Sequence, residues 1–329
     1  MHRIIMKYTV IVLAAGIISL CFLSFFVFLY CDSGVHISDA LGVTDYHYEP
    51  NQRAVNYQEG FGYFRMDENG YNNQKTYSIG DIDYLLLGSS HVEAANVNGN
   101  ENIGAVLNTI TDYITYNIGV SGHTIYHVAD NLHNAVQVLQ PSVGLIIETD
   151  TVKLDEKNME MVCINTFPDI KVYDNGLLYY IQKYCPSIKF LFNKMELWKD
   201  AANRATPSAV IDYSSDGYQE SLNAFLAKIR SDAGDLDVII VYHSKTQING
   251  DGNYIDPTDP DARAAFITAC EANNITFLDM TESFESLYNE QHILAHGFAN
   301  TAVGYGHLNK YGHAIIAEEL AKVIQGVEE

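Results

Sequence analysis

Apolar residues follow two rhythms along this chain. "DYLLLG" (83–88), "YITYNIG" (113–119), "VGLIIET" (143–149), "DVIIVYH" (237–243) and "NITFLD" (274–279) are short, near-continuous apolar runs. Runs of that length suit strands of a parallel sheet buried on both faces. Between them the period lengthens. Val128, Leu132, Val136 and Leu139 recur at helical spacing within 125–139, and Leu222, Leu226 and Ile229 do so within 217–230. A third helix is expected at 262–272. A last one, about 312–326, carries Ile316, Leu320, Val323 and Ile324 on one face. Strands alternating with helices predict right-handed crossovers and a doubly wound α/β sheet. Ligands of such sheets bind at the carboxyl ends of the strands.

Three stretches fall outside that rhythm. Tyr8 to Tyr30, "YTVIVLAAGIISLCFLSFFVFLY", carries no charge and is long enough to span a bilayer. His2, Arg3 and Lys7 precede it and Asp32 follows, so residues 1–31 read as a retained anchor with the rest of the chain extracytoplasmic. A cleaved signal peptide would need a shorter apolar core and a small-residue cleavage site; a lipid on Cys31 would follow the bulky Tyr30. Residues 32–80 are polar and rich in Tyr, Asn, Asp and Gly, and read as a stalk and lead-in. The interval from about 151 to 216 contains "GLLYYIQKYCPSIKFLFNKMELWK" and is too long for a simple crossover. It reads as a helical insertion within a domain spanning 81–329.

Charge narrows the partners. Nineteen Lys plus Arg against 41 Asp plus Glu give a formal charge of −22, which repels nucleic acid and favours a neutral ligand. The five cysteines are odd in number and lack a CxxC spacing, and no HExxH occurs among the 12 histidines, so neither a metal site nor a cofactor is expected. A Cys163–Cys185 bridge stays open.

The expected strand ends carry the chemistry. Strand one ends in Gly88-Ser89-Ser90-His91, strand two in Asn117 to Thr124 ("NIGVSGHT") and strand three in Glu148-Thr149-Asp150, while "GHLNKYGH" (306–313) precedes the last helix. A serine needs a neighbouring imidazole to become a nucleophile, and the oxyanion it generates needs preorganised donors. Ser90 is the candidate nucleophile and His307 the base, with the backbone N–H groups of Ser90 and Gly122 facing the oxyanion. Glu148 and Asp150 are candidates to cap the turn after strand three. His91, His123, His243 and His313 are either pocket-lining or structural.

This set resembles the SGNH/GDSL hydrolase superfamily over roughly residues 80–329. Gly88-Ser89-Ser90-His91 stands for its Gly-Asp-Ser block, Asn117 to Gly122 for the turn with its oxyanion glycine, and "HLNKYGHAIIAEEL" for its histidine block. "GYFRMDENGYNN" looks like the lead-in of membrane-anchored members. The resemblance implies a flavodoxin-like α/β/α sandwich with five parallel strands in the order 2-1-3-4-5. It also implies an ester hydrolase or O-acetyltransferase acting on acylated carbohydrate, with a membrane-bound acyl donor as partner if it transfers. Two departures stand out. Thr149 occupies the place of the third-block Asn, so its hydroxyl is the third oxyanion candidate. Gly304 occupies the place of the triad Asp, three residues before His307. Asp279 or Glu282, or a backbone carbonyl, would then orient the imidazole. The rival expectation is a catalytically degenerate SGNH fold that binds or scaffolds in the cell envelope.

Overall fold

The structure is a computed structural model and describes residues 2–30, 36–37, 47–56, 59–168 and 211–326, with Leu177, Tyr180 and Ser187. Helix α1 (His2–Tyr30) contains a 22-residue segment, Ile5–Phe26, of mean hydropathy 2.5 and with nothing buried. By length and composition it can cross a membrane.

Five parallel strands form the central sheet: β1 (Tyr84–Leu87), β2 (Thr115–Asn117), β3 (Gly144–Thr149), β4 (Asp237–Tyr242) and β5 (Thr276–Asp279). Hydrogen-bonded neighbours give the order 2-1-3-4-5. Every residue of β1, β2 and β3 is buried, which is why these runs are apolar without alternation. Successive side chains still point to opposite faces. Leu85, Leu87, Leu145, Ile147, Val238 and Ile240 enter one core; Tyr84, Leu86, Ile146, Ile239 and Val241 enter the other.

The first core is covered by α4 (Ile125–Leu139), α5 (Glu156–Cys163), α6 (Asp216–Ala233) and α7 (Pro260–Ala272). The second is covered by α3 (Ile103–Ile110), α8 (Thr281–Gln291) and α9 (Lys310–Gln325). A single turn, α2 (Ser90–Glu93), follows β1 directly. Capping fixes the helix starts: Asn102, Ser215, Asp259 and Asn309 each accept a backbone N–H of the first turn. The short helices α3 and α8 were not expected from the sequence; α5 falls within the expected helical insertion at 151–216.

The lead-in is built into the domain. A hairpin pairs Arg53–Asn56 with Gly62–Arg65, over a small core of Tyr48, Ala54, Phe64 and Met66. The polar string after it is a buried clasp. Asp67 accepts from the N–H groups of Asn69 and Tyr71, the Tyr116 hydroxyl (2.7 Å) and the Asn73 amide. Asn73 also pairs both ways with the Asn117 backbone at the end of β2. Asn117 donates to Val92 O and Asn72 to Glu93 O, which ties the turn α2 in place. Buried polar groups are tolerated when paired in this way. Most of the expected helical insertion, including its aromatic run and Trp198, lies outside the described residues, as does Cys185; Cys163 is a free thiol.

Candidate active site

β1 ends at Leu87, and the chain turns through Gly88 into α2. The turn is tight: a Cβ on Gly88 would crowd Glu148 Oε2 and Val92 Cγ2. Ser89 caps α2, accepting from His91 N at 3.2 Å. Ser90 is therefore the first residue of the turn, at the carboxyl end of the sheet. Its Oγ lies 2.8 Å from His307 Nε2. His307 stands just before α9, on a loop that Gly297 N ties down through the His307 carbonyl at 3.0 Å.

The other imidazole nitrogen meets a carboxylate from the far side of the sequence. His307 Nδ1 contacts Glu59 Oε2, and the His307 N–H points at the same oxygen at 3.3 Å. With Nδ1 facing a carboxylate, the ring proton belongs on Nδ1, and Nε2 is left to accept from the Ser90 hydroxyl. Burial pushes the Glu59 carboxyl up, but the hydrogen bonds and charge of His307 outweigh it and hold Glu59 below its ordinary value. Glu59 is itself held. Asn96 donates to its carbonyl (3.0 Å) and to Oε2 (3.3 Å), and Asn300 Oδ1 accepts from Gly60 N at 2.8 Å. The Phe298 ring lies against Gly60.

Glu59 corrects the expected orienter. Asp279 is engaged elsewhere, with Arg263 Nε at 3.0 Å and with the Thr281 backbone and hydroxyl. Glu282 is exposed in the first turn of α8. A backbone carbonyl is not the partner either. The glycines of the histidine block now have a reason. Gly304 has φ +67, and its Cβ would stand 3.3 Å from Thr246 Cγ2, so an aspartate there would be strained. Gly306 has φ +113, and a Cβ on it would overlap Glu59 Oε1. The glycine at 306 leaves room for the Glu59 carboxylate.

Thr149 is also corrected. Its hydroxyl donates to Thr151 O at 2.9 Å and accepts from Thr151 N, so its proton is spent within the loop rather than aimed at an oxyanion. Gly122 sits at the turn after β2 with φ +87 and open space where a Cβ would be. That turn packs on α2: Val120 N donates to Gly88 O and Ser121 N to Glu93 Oε2.

Glu148 is no turn cap. It is buried behind the nucleophile, where Oε2 accepts from Ser89 N (2.8 Å) and Ser89 Oγ (2.9 Å) while Oε1 pairs with His243 Nε2 (2.9 Å). Burial opposes its ionisation. The His243 hydrogen bond and charge, with the two donations from Ser89, still hold it below the usual carboxylate range. His91 lies between the two imidazoles, with ring centroids 4.7 Å from His243 and 5.0 Å from His307. Burial first, and the neighbouring histidines second, hold His91 neutral, so its Nδ1 can accept from Leu308 N at 3.2 Å. Of the four histidines considered from the sequence, only His91 borders the cavity over Ser90. His243 and His313 are buried beneath it, and His123 stacks on His127 elsewhere. That cavity holds about 700 Å³ and is bordered by Glu59, Ser90, His307, Asp150, Lys245 and Tyr305 among others. Among the described residues, no three His, Cys, Asp or Glu side chains are arranged to hold a metal ion.

The chain matches no family model and no curated protein. It is similar to several solved structures. These include an acetyl xylan esterase, AlAXEase (15% identity, 75% of this chain and 100% of that one, TM-score 0.42). A carbohydrate esterase family 2 enzyme with a carbohydrate binding domain, from Corynascus thermopiles (Myceliophthora fergusii), aligns at 12% identity over 76% and 68% with TM-score 0.39. Phospholipase A1 from Streptomyces albidoflavus NA297 aligns at 10% identity over 73% and 98% with TM-score 0.34. At these values the likeness carries no argument about chemistry.

Proposed function

We propose that the chain is an SGNH-type serine esterase or O-acetyltransferase that works through an acyl-enzyme on Ser90. The observation that carries this is the line Glu59, His307, Ser90, with His307 Nε2 2.8 Å from Ser90 Oγ and Glu59 on Nδ1. Ser90 Oγ attacks the acyl carbonyl as its proton passes to His307 Nε2. Glu59 keeps the ring in the accepting tautomer and balances the imidazolium. The N–H groups of Ser90 and Gly122 receive the oxyanion. His307 then protonates the leaving alcohol. Water or a second hydroxyl, deprotonated by the same nitrogen, releases the acyl group as acid or as a new ester.

The substrate in this reading is an acetyl ester of cell-surface or secreted carbohydrate. α1 stays in the membrane and the domain lies outside, consistent with Arg3 and Lys7 before the uncharged run that begins at Tyr8. A transferase would draw its acetyl group from a membrane-bound donor. The degenerate-scaffold reading rested on the missing acid and the missing third-block Asn; Glu59 on His307 supports a substitute for the acid, while Thr149, bonded to Thr151, supplies none for the Asn. The test is labelling of the full-length protein in detergent with a fluorophosphonate. Intact mass should show one adduct in the wild type and none in Ser90→Ala; equal labelling of both would discard Ser90 as nucleophile.

A further inference from the structure

The loop that delivers His307 also displays two apolar side chains to solvent. Val303 is 82% and Tyr305 72% exposed. Isolated exposed apolar side chains are ordinary; what sets these two apart is that both border the cavity that contains Ser90. This is no loose loop. Gly304 packs on Thr246, Gly297 closes against the backbone of Gly304 and Tyr305, and Tyr305 N donates to Ala302 O at 3.0 Å. The ring is thus presented from a fixed backbone, two residues from the base, on the border of the 700 Å³ cavity that contains Ser90.

The same cavity is also bordered by hydrogen-bonding groups: Asp150, Lys245 and Gln247. Lys245 Nζ is 3.8 Å from Asp150 Oδ2, so the two charges largely cancel. An apolar face beside a rim of donors and acceptors complements a pyranose ring, which has an apolar C–H face and hydroxyls around its edge. A long acyl chain asks instead for a continuous apolar slot, and the charged and amide groups interrupt one here. Lys245 is already paired with Asp150 and so offers a strongly anionic ligand little, while Glu59 borders the same cavity.

From this we infer that Tyr305 is the stacking platform for a neutral pyranose unit of the substrate, placing its ester over Ser90. The inference rests on the esterase reading above and specifies its substrate. The test uses full-length protein carrying Ser90→Ala, titrated calorimetrically with xylotriose bearing an O-acetyl group. Adding Tyr305→Ala should weaken binding about tenfold, the size expected of a lost aromatic contact, while Tyr305→Phe should retain it within about twofold. No binding by the parent, or equal binding with and without Tyr305→Ala, overturns the platform. In the active enzyme, Tyr305→Ala should lower kcat/KM for that sugar about tenfold relative to 4-nitrophenyl octanoate. A larger loss on the octanoate would assign Tyr305 to an acyl chain and overturn the sugar. Absence of Ser90-dependent turnover of any ester would instead remove the esterase reading, and the calorimetric result would stand apart from it.

Discussion

Two carboxylate–histidine pairs flank the nucleophile and differ in one respect. In Glu59–His307 the side chains are 20% and 33% exposed; in Glu148–His243 they are 1% and 0% exposed. The first pair borders the cavity and has a free path for a proton between Ser90, imidazole and substrate. The second is sealed behind Ser89, where its oxygens fix the backbone that aims Ser90. In the proposed mechanism, similar chemistry serves turnover in one place and architecture in the other. Access to the cavity decides which.

Removing either pair should fail in a different way. His307→Ala takes away the base, and ester turnover should fall on the order of a million-fold with little change in melting temperature. Unchanged turnover would remove the exposed pair from the reaction. Acid attacks the buried side. His91 and His296 lie well below the ordinary imidazole value, His123 is lowered to about 4 and His313 to about 3, in each case chiefly by burial. The unfolded chain therefore binds more protons than the folded one below pH 6.5. The stability these groups contribute is complete above that value and drains as pH falls toward the folded values. Stability should therefore fall progressively as pH drops below 6.5. Urea midpoints that stay level from pH 7 to 5 would contradict it. Glu148→Gln leaves one acceptor oxygen for both Ser89 and His243, turns an amide donor on the other, and should destabilise by roughly 3–5 kcal/mol, read from denaturant unfolding. A stable Glu148→Gln protein with lost turnover would instead make the buried pair catalytic. Asp279→Asn touches neither pair. It loosens a partly exposed bond to Arg263 and should change stability by no more than about 1 kcal/mol, with kcat unaffected.

The parts that were legible in the sequence are those encoded by neighbours. Strands β1 to β4 are runs buried on both faces, so their apolar signal is near-continuous; β5, at the sheet edge, is partly exposed and reads through its apolar residues Phe277 and Leu278. Ser90 and His307 each sit in a local string whose flanking residues build the turn that presents them. Glu59 has no such string. It meets His307 across 248 residues of sequence, and only the paired glycines at 304 and 306 hint that another element fills the gap. The packing of the lead-in was hidden for a related reason: composition alone does not tell a solvated segment from a buried clasp, and Asp67, Asn73 and Asn117 are polar because they bond one another in the interior. Helix α8 presents only Phe284 and Leu287 as large inward residues, too few for a clear period.

The central claim is that the acid of this site is Glu59, supplied by the lead-in rather than by the histidine block. It is tested by the kcat of Glu59→Gln on 4-nitrophenyl acetate, measured on the full-length protein beside wild type. The account predicts a loss of about 10,000-fold with an unchanged unfolding midpoint, because the amide no longer holds the imidazole in the accepting tautomer. A Glu59→Gln enzyme that turns over at the wild-type rate would contradict it.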